Sequence, residues 1–217
     1  MRKQYEQELE KLHTELIEMG AMCERAIGEA QLALLENDTK AAQELMDGDS
    51  EIDNREKEIE NLCLKLMLRQ QPVASDLRKI SAALKIITDM ERIGDQAADI
   101  AEIVKTGSLL SEAAQEVRLE EMAVAVKYMV TESITAYVKA DRQKACDIIA
   151  CDDVVDRMFE EIREVLIARM QEEKLKAAQM LDLLMIAKYY ERIGDHATNI
   201  AEWVIFGITG QHHSMEV

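Results

Sequence analysis

Apolar residues recur every three to four positions along nearly the whole chain, the period of helices with one face turned to a core. The pattern predicts six helices, over about 3–36, 39–70, 76–106, 112–139, 141–173 and 177–207. The breaks between them have local causes. Asn37-Asp38-Thr39 supplies polar capping groups. Gln70-Gln71-Pro72-Val73 stops a helix, because Pro72 has no N–H and restricts the residue before it. Thr106-Gly107-Ser108 offers a glycine suited to a C-cap, with Ser111 as the next N-cap. The end of the chain, from Gly210 to Ser214, reads as frayed.

The six segments are two copies of one three-helix unit. Glu91-Arg92-Ile93-Gly94-Asp95 recurs as Glu191-Arg192-Ile193-Gly194-Asp195, followed by QAADIAE and HATNIAEW. Upstream, Glu29 pairs with Glu132, Asp38 with Asp141, Asp49 with Asp152 and Asp53 with Asp156, all 103 residues apart. The ERIGD offset is 100, so the second copy is three residues shorter. The shortening is expected between the second and third helices, at the Pro72 loop. The units span 1–108 and 109–210, with 211–217 as a flexible tail.

Composition agrees with an all-α fold. Hydrophobic residues make up 48% and charged residues 32%, so the chain can bury a core and still cover it with charge. A single Pro and 8 Gly leave little of the turn chemistry that many-stranded folds need. The net charge of -17 argues against duplex binding and against unaided docking on anionic lipid. It suits cations, or basic patches on partner proteins. Cys23, Cys63, Cys146 and Cys151 form no C-x-x-C pair and read as thiols within helices. The N-terminus lacks the apolar core of a signal peptide, and no apolar run approaches the roughly 20 residues that span a bilayer. A cytoplasmic location without membrane insertion is the expectation.

The chemistry lies in the repeated helix. At about 100° per residue, Glu91, Asp95 and Glu102 fall within roughly 20° of Leu84 and Leu77, with Ile80 and Asp99 near the edges. The carboxylates are thus expected to prolong an apolar stripe, and ionised carboxylates are costly to desolvate unless paired or bound to a cation. Gly94 and Gly194 sit mid-helix, where Gly costs about 1 kcal/mol relative to Ala, so a neighbouring helix is expected to approach closely there. In an antiparallel hairpin, Asp49 and Asp53 face Glu91, Asp95 and Asp99, while Asp152 and Asp156 face Glu191, Asp195 and Asn199. Such oxygen-rich sets suit Mg, Mn, Ca or Fe. The competing reading makes them charges on a solvated face, with Arg92 and Arg192 pairing locally. A ferritin-like di-iron site fits poorly, because Gly occupies the position three after Glu91 and Glu191 where a His is needed. His196, beside Asp195, has Gln96 as its counterpart and reads as a polar-pocket residue; His13 has no partner spacing. Trp203 and Phe206 fit either a core or an interface.

ERIGDQAADIAE (91–102), ERIGDHATNIAE (191–202) and the upstream GDSEID and CDDVVD segments resemble the PhoU family over nearly the whole chain. The resemblance implies two tandem three-helix bundles related by a pseudo-twofold. It implies metal ligation by Glu91, Asp95 and Asp99 in one copy and Glu191, Asp195 and Asn199 in the other, with the Asp49/Asp53 and Asp152/Asp156 pairs completing each site. The ion is left among Mg, Mn, Fe and Zn, and Asn199 in place of Asp makes the two sites unequal. The resemblance further implies a cytoplasmic, homodimeric, negative regulator of the phosphate-starvation response. Such a regulator restrains phosphate uptake and connects the ATPase subunit of the phosphate ABC transporter with a sensor histidine kinase. Two other functions stay open on the residues: a metal-dependent hydrolase of phosphorylated compounds, since carboxylate-bound metals activate water, and a purely structural helical module. Against the enzyme, the sequence has no Gly-rich phosphate loop, no H-E-x-x-H and no nucleophile motif.

Overall fold

The computed structural model describes residues 2–69, 73–106, 114–115, 117–172 and 177–211. Among the described residues six long helices are present: α1 (Arg2–Glu36), α2 (Thr39–Arg69), α3 (Ala74–Thr106), α4 (Leu119–Lys139), α5 (Arg142–Glu172) and α6 (Ala177–Thr209). Among the described residues no strand occurs, and no helix is long and apolar enough to cross a membrane. The expected Gln70–Pro72 and Gly107–Ser108 breakers, the Ser111 cap, the boundary between units at 108 and most of the tail lie outside the described residues.

Helices α1 to α3 form one bundle and α4 to α6 the other. The bundles meet along two seams, α1 against α4 and α3 against α6, leaving α2 and α5 on opposite flanks. Both seams are antiparallel. Gly20 abuts Ile134 while Gly28 reaches Lys127, and Gly207 abuts Ala82 while Gly210 reaches Arg78. Corresponding residues of the two copies therefore meet across a pseudo-twofold, and one apolar cluster runs through both bundles. Its α3 stripe is Ile80, Ala83, Ile86, Ile87, Met90, Ile93, Ala97 and Ile100, and α6 repeats the pattern from Met180 to Ile200. Each fully buried Ile contributes roughly 1.5–3 kcal/mol through removal from water.

The first two helices of each copy are joined alike. Asp38 Oδ1 accepts the N–H groups of Lys40 and Ala41 at 2.9 and 3.0 Å, and Asp141 Oδ1 accepts that of Lys144 at 3.0 Å. The residue before each cap is left-handed, Asn37 with φ 53° and Ala140 with φ 49°. These paired caps hold the starts of α2 and α5 in the same pose.

Two expectations are corrected. The fourth helix begins at Leu119 rather than 112, after Arg118 turns the chain with φ 61°. The described part of α3 opens 17 residues before Glu91 and that of α6 opens 14 before Glu191, while the three-residue shortening expected at the Pro72 loop falls on residues 70–72 and 173–176, outside the described residues. Second, the carboxylates do not prolong a core stripe. Leu77 is 44% exposed and Leu84 only half-buried, so their shared face flanks the core. A single angular reference among the leucines misplaced the core axis, which runs through the isoleucines instead.

Of the cysteines, Cys23 and Cys63 are buried and Cys146 and Cys151 half-buried; all are free thiols. The Cys23 thiol donates to the Met90 carbonyl at 3.3 Å. His13 packs edge-on against Tyr137, and Trp203 edge-on against Phe206 with Lys85 over its ring.

Candidate metal centres

The α2/α3 and α5/α6 hairpins each carry carboxylates on both arms. Spacing by four residues on each helix stacks Asp49 above Asp53 and Glu91 above Asp95, and the antiparallel pairing turns the stacks toward each other. The glycines let the arms close. A Cβ at position 94 would lie 2.9 Å from Ile52 Cδ1 and 3.4 Å from Asp49 Oδ1; at 194 it would lie 3.3 Å from Val155 Cγ1 and 3.6 Å from Asp152 Oδ1. The expected close helix approach is therefore by α2 to α3 and by α5 to α6, and the mid-helix glycines leave the space that brings the carboxylates together.

In the first hairpin Asp49, Asp53 and Asp95, all half-buried, offer carboxylate oxygens within 4.8 Å of one another. Glu91 and Asp99 stand one turn to either side of Asp95. Burial, then the neighbouring Asp95, Asp53 and Asp99 charges, push the Asp49 carboxyl above its usual range. Glu91 is raised by burial and Asp95 against the pull of Arg92. Asp99 is raised by burial, Asp95 and Glu102, against the pull of Arg192 from the other repeat. Arg92 donates to Asp95 Oδ2 at 2.8 Å and lies 3.4 Å from Glu91 Oε2. The local pairing that competes with metal binding is thus real here, but it engages Glu91 and Asp95, and among the described residues no cation pairs with Asp49 or Asp53.

In the second hairpin burial, then Asp156 and Asp195, push Asp152 up to about 6. Asp195 is raised by burial and Glu191, against Lys188. Glu191 is ion-paired with Lys188. Asp156 and Asp195 are more exposed than Asp53 and Asp95, so this site is more open. Asn199 is not gathered with the other four: its Nδ2 donates to Asp89 Oδ1 of the first repeat at 3.2 Å, and His196 Nδ1 lies 2.9 Å from the same oxygen. Asp89 went unnoticed in the sequence because its counterpart is Tyr189, so the repeat does not duplicate it. The antiparallel α3/α6 seam is the signal that finds it, since that seam sets the start of ERIGD in one copy opposite its end in the other.

The first donor set is all oxygen, half-buried and anionic, which fits a hard or borderline divalent ion; the second has the same donor chemistry, with Asp152 and Glu191 half-buried but Asp156 and Asp195 exposed. Proton sharing or a bound cation relieves the repulsion that, after burial, raises Asp49, Glu91, Asp99, Asp152 and Asp195.

A family model described as the PhoU domain matches residues 16–104 and again 119–204. A phosphate-specific transport system accessory protein PhoU homolog of Clostridium acetobutylicum is 41% identical over 213 residues, covering 97% of this chain and 96% of that protein. The homolog so described in Pseudomonas aeruginosa is 33% identical over 212 residues, covering 96% of this chain and 86% of that protein. The crystal structure of PhoU from Pseudomonas aeruginosa superposes with a TM-score of 0.88 at 32% identity, covering 95% of this chain and 100% of that one. The phosphate transport system regulatory protein PhoU from Streptococcus pneumoniae superposes with a TM-score of 0.88 at 25% identity, covering 96% and 98%. Matched twice by one family model, and over nearly its full length by relatives and solved structures, the chain belongs to the PhoU family.

Proposed function

We propose that the chain regulates phosphate uptake and the phosphate-starvation response as a metal-binding adaptor. It acts as a homodimer at the cytoplasmic face of the membrane, linking the ATPase subunit of the phosphate ABC transporter to a sensor histidine kinase and holding the response off. The phosphate-transport part rests on the relatives, described as phosphate-specific transport system accessory proteins. The metal part rests on one observation: Asp49, Asp53 and Asp95 converge from two helices with their oxygens within 4.8 Å.

A divalent ion held there supplies positive charge that offsets carboxylate repulsion. The residues themselves do the rest. Asp49 and Asp53 hold α2 against α3, Asp152 and Asp156 hold α5 against α6, and the glycine notches set the spacing. Ligation across a hairpin stiffens it, and a partner that contacts α2 or α5 reads that stiffness. A hydrolase has less to stand on. The cations beside the carboxylates, Arg92 and Lys188, are engaged with Glu91, Asp95 and Glu191 rather than turned toward a substrate space.

The test is a deletion strain carrying a phosphate-starvation reporter. At high phosphate the deletion is expected to derepress the reporter, wild type to restore repression, and a folded D95A/D195A variant to leave it derepressed. Normal repression in the deletion strain sinks the regulatory reading. Full rescue by D95A/D195A sinks only the metal part.

A further inference from the structure

Outside the acidic hairpins, a groove of about 570 Å³ lies between the start of α4 and the outer face of α5. Its floor is apolar: Val117, then Val154, Met158, Ile162 and Val165 on α5. Val154 is 39% exposed and Val165 42% exposed, a wetted apolar strip at helical spacing. Its rim carries Glu121, Glu161 and Glu164. The acidic face continues along α5 through Asp156 and Glu160. Of the two rim cations, Arg118 is spent on Glu121, to which its Nε donates at 2.7 Å, and Arg157 donates to the Asp153 carbonyl of its own helix at 3.0 Å.

The first repeat shows what this groove is when closed. At the offset of 103, Met158 corresponds to Arg55, Arg118 to Glu15, Glu121 to Glu18, Glu161 to Glu58 and Val154 to Glu51. Arg55 crosses from α2 to α1, pairing with Glu15, with Glu18 at 3.5 Å and with Glu58 of its own helix at 3.5 Å. A guanidinium and its carboxylates thus fill the position that in the second repeat is a methionine over open apolar floor. Met is unbranched and polarizable, suited to fitting a partner's side chains.

We propose that the α4/α5 groove receives an amphipathic helix of a partner protein, one whose apolar stripe is flanked by Lys and Arg. The space between two helices takes a third helix by its i, i+3, i+4 and i+7 side chains. The acidic rim selects basic flanks. A second copy of this chain, with a net charge of -17, would bring like charge to that rim. Anionic lipid is repelled on the same ground. The proposal rests on the adaptor reading and gives it a surface that the acidic hairpins do not provide.

The probe is a fluorescein-labelled 18-residue helical peptide with a Leu stripe flanked by Lys and Arg, beside the same peptide with Glu in the flanks. Fluorescence anisotropy on the purified full chain is expected to show saturable binding of the basic peptide, weakened by salt, and at least tenfold weaker binding of the acidic one. R118E/M158R transplants the closure of the first repeat. It is expected to lose at least tenfold in affinity, although it makes the chain more negative. The reverse pair, E15R/R55M, opens the first repeat and is expected to gain a second equivalent of peptide. Circular dichroism confirms that each variant folds. Unchanged affinity in R118E/M158R, equal binding of the two peptides, or no binding to wild type overturns the proposal. So does sedimentation showing that R118E/M158R splits a dimer of the free protein, which would assign the groove to a second copy. Failure of peptide binding with the deletion strain still derepressed removes the groove and leaves the regulatory reading standing.

Discussion

In the first acidic hairpin a guanidinium lies between Glu91 and Asp95; in the second, Lys188 takes Glu191, and the matching Arg192 acts on Asp99 across the pseudo-twofold. One turn away, Thr88 donates to Glu56 at 3.2 Å, where the second copy has Lys188 over the ring of Phe159. Asp99 stands beside its own carboxylates, while Asn199 is drawn to Asp89. The helix frame, the glycine notch and four carboxylate positions are duplicated. The pairing of the cations and the residue four after the second carboxylate, Asp99 against Asn199, are not. The two copies therefore differ in charge and openness more than in backbone geometry.

The largest expected effect follows from the charge difference. Ligand charge count and site rigidity tune the affinity of oxygen-ligand sites over orders of magnitude. Calorimetric titration of chelator-stripped protein with Mn is expected to give two classes of site, the tighter removed by Asp95→Ala and the weaker by Asp195→Ala. Separation by about tenfold or more is expected from the extra carboxylate of the first site. Two equal sites would break the comparison.

The glycine notches give the next effect. Gly94→Ala forces Ile52 aside, whereas Gly194→Ala meets only a tight contact with Val155. Overpacking costs about 1–3 kcal/mol and the alanine returns about 1 kcal/mol of helix propensity. Gly94→Ala is therefore expected to lower the melting temperature by a few degrees and Gly194→Ala to leave it nearly unchanged. The reverse order would contradict the closer approach of α2.

Acidification sharpens the contrast further. Asp152 is raised to about 6, so between its unfolded value near 3.8 and about 6 the folded state binds more protons than the unfolded one. Stability of the metal-free protein from this group therefore falls as pH rises through that window, and the penalty is fully present above about 6. Asp152→Asn is expected to stabilise the metal-free protein at pH 7 and to flatten this part of the pH profile. Asp49→Asn is expected to do the same in the first hairpin, to a smaller degree. Urea titrations from pH 4.5 to 7.5 check both; destabilisation by Asp152→Asn at pH 7 would contradict the burial argument.

The smallest difference lies in the connections. Ala140 holds a left-handed conformation at a cost of roughly 1–2 kcal/mol, while Asn tolerates it at the equivalent position 37. Ala140→Gly is expected to raise stability by up to about 1 kcal/mol and Asn37→Gly to change it little.

Much of this was legible in the sequence because duplication amplified weak signals. One E-x-x-x-D on a helix says little, but its return beside a second D-x-x-x-D located both hairpins and their pairing. Asp38 was legible as a cap, and the repeat pairs it with Asp141, which caps the matching turn. The tertiary partners of residues that the repeat does not duplicate stayed hidden. Asp89 against Tyr189, Gln96 against His196 and Glu56 against Phe159 are unlike pairs, and their partners are set by tertiary packing between α3 and α6 or within a hairpin. The leucine reference for the core face failed because Leu77 and Leu84 lie toward the margin of α3. The start of the fourth helix was missed because a left-handed Arg118 carries no glycine or proline mark.

The central claim is that the carboxylates of these two hairpins bind metal. The most direct test is elemental analysis of protein purified without chelator, wild type against D95A/D195A, with circular dichroism to confirm that the variant folds. The account predicts bound divalent ion in wild type and its loss in the folded double variant. Equal metal in both proteins, or none in wild type even after equilibration with Mn, Mg, Fe or Zn, would contradict it.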